Sequence, residues 1–279
     1  MSAFQMGEWV LLTSQKGKKW LVRIEDAPFS AHLGGIKLAD VVGKEEGDQL
    51  ETTQGAKLFL FRASLQDYIY AMKRQTQIIY PKDLGAIIFY GDLYPGCTVL
   101  ESGIGSGGLT LALLRAIGNR GLLVSIEKRH EFALLASENI RKFFGAPPEN
   151  HRIVVADMEN AHLDITFDRI FLDLPEPWRA VGNVSGMSST GAILVSLSPN
   201  VGQVQIMNRE LKMNGFGNIV HFELLQREWK IDNLRARPFD RMIAHTGFIT
   251  VAKKVSARGE VADLETGEEV GRFDGNGNT

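Results

Sequence analysis

The stretch TVLESGIGSGGLT, at residues 98–110, decides the fold of this chain. It opens on a short apolar segment, which predicts a strand over 98–100. Four glycines then fall within residues 103–108, where the backbone can take a positive φ or approach a ligand closely. Residues 109–117 are mostly leucine and alanine and predict a buried helix. A helix that starts behind a glycine turn presents free N–H groups, so the stretch predicts a nucleotide-type site on an α/β sheet.

Two acidic residues indicate which ligand this turn would take. Turns of this kind serve NAD, FAD and S-adenosylmethionine alike. Glu101 precedes the glycines, where it would accept hydrogen bonds from an ammonium group and repel a pyrophosphate. Glu127 follows a predicted strand over 122–126, at the distance suited to a ribose diol, and a solvated strand end is the less favoured alternative. Together they favour S-adenosylmethionine over a dinucleotide.

Composition limits the remaining possibilities. At 279 residues and 30.9 kDa, the chain is long enough for two domains or one large one. Its single cysteine, Cys97, excludes an intramolecular disulfide and suits a reducing cytoplasm. No signal pattern appears, and no apolar run approaches the roughly 20 residues that span a bilayer, so no membrane partner is expected. The net charge of −2 means that a nucleic acid would be met by local basic patches.

The chain is expected to divide into four parts. Residues 1–63 contain short apolar segments separated by polar turns, which predict a small antiparallel β domain. Residues 64–83 are expected to form a connecting helix and a loop, with Pro81 ending regular structure. Residues 84–255 form the main domain, and the polar, acidic and glycine-containing residues 256–279 predict a disordered tail.

Strands and helices alternate through the main domain, which predicts a doubly wound, Rossmann-like parallel sheet. Sites in such sheets lie beyond the carboxyl ends of the strands. Acids follow four successive predicted strands, and we expect them to surround one crevice: Glu101, Glu127, Asp157 and Asp173. The predicted strands are 98–100, 122–126, 152–156, 169–172, 192–197, 219–225 and 248–253, and the predicted helices are 84–90, 109–117, 130–144 and 201–213.

The sequence DLPEPW at residues 173–178 is the second strong signal. Its two prolines favour an extended turn that would hold the Asp173 carboxyl group at the sheet edge. A carboxylate beside a methyl donor can accept a hydrogen bond from an amino group of the methyl acceptor. Trp178 offers either a stacking surface or, as we favour, a large anchor in the core.

Taken together, these stretches resemble the tRNA adenine-N1 methyltransferases, which make 1-methyladenosine at position 58 in the T loop. The resemblance covers roughly residues 5 to 255, including the small β domain, and is nearest to the bacterial, actinobacterial-like homotetrameric type. The pairing of YPKD before the glycine turn with DxPxPW after it is specific, whereas the glycine turn alone is not. The stretches that carry it are TQIIYPKD (76–83), LESGIGSGGLT (100–110), LDLPEPW (172–178), REW (227–229) and HTGF (245–248).

The resemblance implies roles for individual residues. The cofactor's methionine part would lie against Gly103, Gly105, Ser106 and Gly107, with Gln77 and Leu109 nearby. Its ribose hydroxyls would meet Glu127, and its adenine amino group would meet Asp157. The target adenine would meet Asp173, with Tyr80 close to it.

The resemblance also implies a reaction and partners. Adenine N1 would take the methyl group directly, without a metal or a covalent intermediate, and the base would be extruded from its loop. A homotetramer is implied. Candidate phosphate contacts are Lys73, Arg74, Lys82, Arg227, Lys230, Arg235, Arg237 and Arg241.

Three alternatives stay open at this point. A methyltransferase for protein carboxyl groups or small molecules would keep the glycine turn without needing DLPEPW. An NAD-dependent oxidoreductase is disfavoured by Glu101. A non-catalytic RNA-binding subunit of the same fold would be expected to lose the glycines or the strand-end acids, which are present here.

Overall fold

The computed structural model describes residues 2–242 and 244–256. Its backbone contacts divide the chain into two compact units, Met1–Lys73 and Arg74–Thr279. Beyond residue 256, the predicted disordered tail lies outside the described residues. The division falls ten residues after the predicted end of the β domain, because the first helix groups with the β strands rather than with a connector.

The first unit is an antiparallel β domain. A four-stranded sheet has the order β2-β1-β6-β5, and β3 pairs with β4 in a separate hairpin. Alternate residues of β1 and β6 point into one apolar core that includes Val10, Leu12, Leu58 and Leu60. The elements are β1 (Trp9–Ser14), β2 (Lys19–Arg23), β3 (Pro28–Ala31), β4 (Gly34–Lys37), β5 (Gln49–Glu51), β6 (Lys57–Arg62) and α1 (Leu65–Ala71).

Helix α1 is shorter than its sequence pattern suggested. Ser64 begins it with a capping box, in which its side chain accepts from the Asp67 N–H and the Asp67 side chain accepts from the Ser64 N–H. The helix ends at Ala71 instead of continuing through the basic pair at 73–74.

The second unit carries the seven-stranded sheet, in the order β12-β15-β11-β10-β7-β8-β9. Its elements are α2 (Pro81–Tyr90), β7 (Thr98–Ser102), α3 (Gly108–Ile117), β8 (Leu122–Glu127), α4 (His130–Phe144), β9 (His151–Val155), β10 (Phe167–Leu172), α5 (Val181–Gly186), β11 (Ser188–Ser198), α6 (Val201–Met213), β12 (Phe216–Glu223), β13 (Trp229–Ile231), β14 (Ala236–Pro238) and β15 (Phe248–Lys254).

The predicted doubly wound, Rossmann-like sheet is confirmed, and it is mostly parallel with one strand, β15, running antiparallel to its neighbours. Strands β7 to β11 run parallel, whereas β15 pairs antiparallel with both β11 and β12. The segment between β12 and β15 contains the short hairpin β13–β14 and lacks a crossover helix in its described residues. Without such a helix the chain returns antiparallel.

Pro81 begins helix α2 instead of ending regular structure. It occupies the first turn, where the missing N–H costs nothing because that donor has no partner inside the helix. Tyr80 is the residue just before the helix, in an extended conformation. The YPKD motif therefore forms a helix start.

Helices pack on the sheet through their apolar residues. Helix α3 is buried along nearly its whole length, as its composition predicted. A second layer, formed by α5 and α6, packs on β10 and β11 through Leu172, Leu194 and Met207, among others. Trp178 is partly buried against this cluster, which agrees with the interpretation of this tryptophan as a core anchor.

Candidate active site

A cavity of about 570 Å³ lies along the carboxyl ends of the parallel strands of the second unit. This is where parallel sheets place their ligands. It contains side chains from the glycine turn, from the strand ends that carry acids, and from the segments that follow β11 and precede β15. The wall comprises Thr76, Gln77, Ser102, Gly103, Gly105, Ile126, Glu127, Lys128, Arg129, Ala156, Asp157, Met158, Glu159, Asp173, Leu174, Pro175, Glu176, Ala180, Leu197, Pro199 and Thr246.

The glycine turn needs its glycines for two physical reasons. Gly103, Gly105 and Gly107 have φ values of 91°, 51° and 88°, which side chains rarely tolerate. A Cβ atom on Gly103 would also collide with the backbone carbonyl of Asp173. The turn therefore lies directly against the strand end that carries Asp173.

Polar contacts hold the glycine turn from behind. The Ser106 hydroxyl accepts a hydrogen bond from the Gln75 N–H at 3.4 Å and shares another with Thr76 Oγ1 at 3.1 Å. Asn139 Nδ2 donates to the Ser106 carbonyl at 2.9 Å. Ser106 is buried and lies outside the cavity wall, so it shapes the turn that the cavity presents.

Glu101 lies behind the turn rather than in the cavity wall. Strand β7 continues to Ser102, and the Glu101 side chain is fully buried. Its carboxyl group accepts from Thr110 Oγ1 at 2.9 and 3.0 Å and from Ser125 Oγ at 2.6 Å. Burial raises its pKa to about 7, although these two hydrogen bonds oppose the shift. Glu101 thus ties the start of α3 to the sheet, which differs from the predicted contact with an ammonium group.

Glu127 and Asp157 line the cavity at the ends of β8 and β9, as predicted. Glu127 accepts from the Arg129 N–H at 2.9 Å and from the Gly105 N–H at 3.4 Å. Asp157 accepts from Lys128 Nζ at 2.7 Å and from the Glu159 N–H at 3.1 Å. The hydrogen bond from Lys128, followed by that from the Glu159 N–H, lowers the pKa of Asp157. Asp157 is therefore an ionised acceptor near neutral pH.

Asp173 lies at the middle of the cavity. Its N–H donates to the Ser102 carbonyl at 2.9 Å, which joins the DLPEPW turn to the end of β7. Burial, with a smaller contribution from the negative charge of Glu127, raises the pKa of its carboxyl group to about 6. A group that is ionised at pH 7 but costly to ionise is a strong hydrogen-bond acceptor for an incoming N–H.

The remaining predicted residues fall into two sets. Gln77 lines the cavity, as does its neighbour Thr76, which the sequence analysis had not named as a site residue. Gly107, Leu109 and Tyr80 lie outside its wall: Gly107 precedes helix α3, and Tyr80 precedes helix α2. Leu109 borders a small adjoining void that Asp173 also borders.

One predicted phosphate contact is wrong. The Lys82 side chain is only 8% exposed, and its ammonium group donates to Asp83 Oδ1, the Leu224 carbonyl and Thr246 Oγ1. Its three hydrogens are thus directed at protein acceptors. The basic residues at 227, 230, 235, 237 and 241 follow β12 and are exposed, with Arg237 paired to Asp240 at 2.7 Å.

Comparisons with known proteins match this chain over most of its length. Residues 66–246 match the family described as tRNA methyltransferase complex GCD14 subunit, and residues 3–48 match that described as TrmI-like N-terminal. A tRNA (adenine(58)-N(1))-methyltransferase TrmI of Thermus thermophilus is 34% identical over 250 residues, covering 89% of this chain and 97% of that protein. A tRNA (adenine(57)-N(1)/adenine(58)-N(1))-methyltransferase TrmI of Methanocaldococcus jannaschii is 31% identical, covering 89% and 95%.

Two solved structures share the whole architecture. A structure described as a SAM-dependent O-methyltransferase of Thermotoga maritima superposes with a TM-score of 0.88 at 35% identity, covering 93% of this chain and 97% of that one. The tRNA (m1A58) methyltransferase TrmI of Aquifex aeolicus superposes with a TM-score of 0.80 at 31% identity, covering 91% and 99%.

Proposed function

Because this chain belongs to the family described as tRNA methyltransferase complex GCD14 subunit, we propose that it methylates N1 of adenine 58 in the T loop of tRNA. Besides membership of this family, one structural observation supports the proposal, namely the position of Asp173 in the cavity. Its carboxyl group lies between a glycine turn with two strand-end acids and the wall formed by the ends of β11 and β15. That position suits a group that holds a methyl acceptor beside a methyl donor.

The cavity fits S-adenosylmethionine as the donor. Glu127, Asp157 and Asp173 give it a negative potential suited to a cation. A Cβ at Gly103 or Gly105 would crowd Asp173 or Thr76, so the glycines let the turn pack closely against these residues at the cavity wall. When bound, S-adenosylmethionine would supply a methyl group on positively charged sulfur. The in-plane lone pair of adenine N1 would form a bond to the methyl carbon while the S–C bond breaks, and its electron pair would leave with the neutral thioether S-adenosylhomocysteine.

We assign cofactor contacts to residues on the β7, β8 and β9 side of the cavity. The turn at Gly103 and Gly105 would face the methionine part, with Gln77 beside it. Glu127 would accept hydrogen bonds from the ribose hydroxyls, and Asp157 from the adenine amino group. Ser106, Gly107, Leu109 and Glu101 would act through the shape of the turn, since they lie behind it.

We assign to Asp173 the contact with the target base. As a carboxylate it would accept a hydrogen bond from the 6-amino group of adenine. This raises electron density at N1 and stabilises the positive charge that develops on the ring. The same contact orients N1, and alignment of reacting atoms supplies much of the rate in direct transfers. Tyr80 precedes α2 and lies outside the cavity wall, so its closeness to the target base stays a prediction from the resemblance.

Methylation of a base held in a folded loop requires its extrusion into the cavity. The exposed arginines and lysines at 227, 230, 235, 237 and 241 would contact phosphates, together with Lys73 and Arg74. We also infer that the chain forms a homotetramer in the cytoplasm, with the β domain of residues 1–63 serving in RNA contact or assembly. Large apolar side chains are exposed near hairpin β13–β14, as at an interface. In the described part of the chain, none of the helices has the length and hydropathy of a membrane span.

The test is transfer of labelled methyl groups from S-adenosylmethionine to unmodified tRNA transcripts, followed by mass analysis of the nucleosides. We expect 1-methyladenosine that disappears when adenine 58 is replaced. A parallel transcript with adenine 57 replaced reveals whether both positions are substrates, as the name of the Methanocaldococcus relative states for that protein.

The same assay also tests the alternative that the enzyme methylates an acceptor other than tRNA. The Thermotoga structure is described as an O-methyltransferase, so protein and small-molecule acceptors belong in the test. If the protein binds S-adenosylmethionine but tRNA gains no label, the proposed substrate is contradicted, whereas the assignment of the fold still holds.

A further inference from the structure

The cavity has two sides that are separated by Asp173. In the sheet order, β8 and β9 lie on one side of β7 and β10, and β11 and β15 lie on the other. If the cofactor occupies the side of Glu127 and Asp157, the base must meet the opposite side. The wall there, which we call the acceptor wall, consists of Leu197, Pro199 and Thr246.

A buried charged cluster holds Thr246 from one direction. Lys82 Nζ donates to Thr246 Oγ1 at 2.5 Å, to Asp83 Oδ1 at 2.7 Å and to the Leu224 carbonyl at 2.8 Å. The Thr246 hydroxyl in turn donates to Asp83 Oδ2 at 2.7 Å, which closes a ring of hydrogen bonds. The side chains of Lys82 and Asp83 are 8% and 1% exposed. The cluster therefore joins the first turn of α2 to the segments that follow β12 and precede β15.

His245 holds the same segment from the other direction. Its Nδ1 lies 2.9 Å from Glu223 Oε2, and its Nε2 lies 2.9 Å from the Pro199 carbonyl. Both partners are acceptors, so only the imidazolium form can donate to both. Accordingly, the hydrogen bond to the Pro199 carbonyl and that to Glu223 raise the pKa of His245, while Lys82 opposes the rise. His245, the residue next to Thr246, thus links Pro199 to Glu223.

We propose that Lys82, Asp83 and His245 are positioning residues that fix the acceptor wall, and hence the orientation of the target base against Asp173. The inference rests on the proposed function. Thr246 is the point of contact, because its hydroxyl belongs to the buried ring while its side chain faces the cavity.

The chemistry of the cluster supports a positioning role over simple stabilisation. Burying an ion pair costs desolvation, and apolar residues of similar volume often stabilise a fold equally well or better. A fully satisfied polar network adds a defined geometry, because each hydrogen bond restricts the direction in which its donor and acceptor can lie. The cluster supplies that geometry at the segment where a base would have to be aligned.

The experiment compares Thr246→Val with Thr246→Ser in the full-length protein. Valine keeps the shape but removes the hydroxyl, whereas serine keeps the hydroxyl. We measure kcat and KM for unmodified tRNA transcripts, the Kd for S-adenosylmethionine, and Tm. Thr246→Val should lose roughly tenfold to a hundredfold in kcat/KM for tRNA, the scale of a misaligned reactant. Its Kd for S-adenosylmethionine should stay within twofold of the wild-type value, and Thr246→Ser should recover most of the loss.

His245→Gln provides a second variant at a half-exposed site, with His162→Gln as its control. His162 is exposed and pairs with Asp164 away from the cavity. His245→Gln should lower kcat/KM for tRNA with unchanged cofactor affinity, and His162→Gln should match the wild type.

The outcomes separate this inference from the proposed function. Wild-type activity for tRNA in Thr246→Val and His245→Gln would overturn the inference while the proposed function stands. Parallel loss of cofactor binding and tRNA methylation would also overturn it, because the residues would then stabilise the whole site. Wild-type protein that makes no 1-methyladenosine would instead contradict the proposed function.

Discussion

The carboxyl group of Asp173 combines two properties that a methyl-acceptor contact needs. The DLPEPW turn places it in the wall of the cavity. Its pKa, raised to about 6, lies just below neutral pH, so the group is still ionised at pH 7. Within the described residues, no lysine or arginine forms an ion pair with it, and the charged group that contributes to its raised pKa is Glu127. Its charge is thus available to a substrate.

Replacement of Asp173 by Asn should separate turnover from binding. The amide keeps the size of the carboxyl group but loses its charge, so the charge that develops on adenine is no longer stabilised. We expect kcat to fall by about 10²–10³, as for the loss of one electrostatic contact in other active sites. The Kd for S-adenosylmethionine, measured by calorimetry, should change little. Retention of wild-type turnover would remove Asp173 from the chemistry.

The activity should depend on the protonation of Asp173. The carboxylate accepts the hydrogen bond, so kcat/KM for tRNA should rise with pH through about 6, the raised pKa. The measurement is a pH–rate profile from pH 5 to 8, with Tm followed in parallel to exclude unfolding. A profile that is flat across pH 6 would contradict the assignment.

The same pKa shift acts with the opposite sign on stability. Between pH 3.8 and about 6, the folded protein holds this proton and the unfolded chain does not. The associated stability is therefore fully present below pH 3.8 and is lost as the pH rises through 6. In the absence of cofactor, Asp173→Asn should have a higher Tm than the wild type at pH 8. An equal or lower Tm would mean that the carboxylate is stabilised by contacts it makes in the fold.

At the scale of the elements, the glycine turn is constrained by both conformation and space. Gly103→Ala places a side chain at φ 91° and drives its Cβ into the Asp173 carbonyl. The conformation alone costs about 1–3 kcal/mol. We expect a lower free energy of unfolding and weaker binding of S-adenosylmethionine, measured by denaturant titration and calorimetry.

Gly85→Ala is the matched control for this prediction. Gly85 lies inside helix α2, and a Cβ there would meet no atom within 4 Å among the described residues. Alanine in a helix interior should stabilise by about 0.5–1 kcal/mol. A Gly103→Ala protein that behaved like Gly85→Ala would show that the turn tolerates side chains.

The sequence predicted that three strand-end acids would surround one crevice, because the signals for them are local. Glycine spacing fixes the turn, and an acid directly after a buried strand must reach the sheet edge, as Glu127, Asp157 and Asp173 do. Glu101 lies behind the turn because Thr110 and Ser125 donate to its carboxyl group, a contact between separate elements that the local sequence does not indicate.

The acceptor wall could not be predicted in the same way. Thr246 and Lys82 are 164 residues apart in the sequence, and only the tertiary fold brings them into contact. Nothing in the local sequence indicates that Lys82 is buried, so it stood among the candidate phosphate contacts with the other basic residues. The antiparallel β15 did have a signal: the absence of a helical pattern between 225 and 248.

At the scale of the whole molecule, an exposed apolar segment is the feature that a homotetramer would explain. Leu225, Trp229, Ile231 and Leu234 are 60%, 54%, 72% and 91% exposed around hairpin β13–β14. Isolated chains seldom leave such side chains together in water.

Assembly should therefore respond to charge at this hairpin. Light scattering after size exclusion should give about four times the 30.9 kDa chain mass for the wild type. The double variant Ile231→Lys, Leu234→Lys should give a smaller mass, because lysine ammonium groups resist burial. Leu134→Lys, at a similarly exposed site on α4, is the control. An unchanged mass in the double variant would place the interface elsewhere.

The position of β15 also has a consequence for the growing chain on the ribosome. This strand lies between β11 and β12 but is synthesised after both. The glycine turn and the acids of β8, β9 and β10 emerge first, whereas Thr246 emerges last among the cavity residues. The nascent polypeptide thus contains the glycine turn and the strand-end acids before it contains Thr246. Until β15 is synthesised, β11 also lacks the strand that pairs with it on that side.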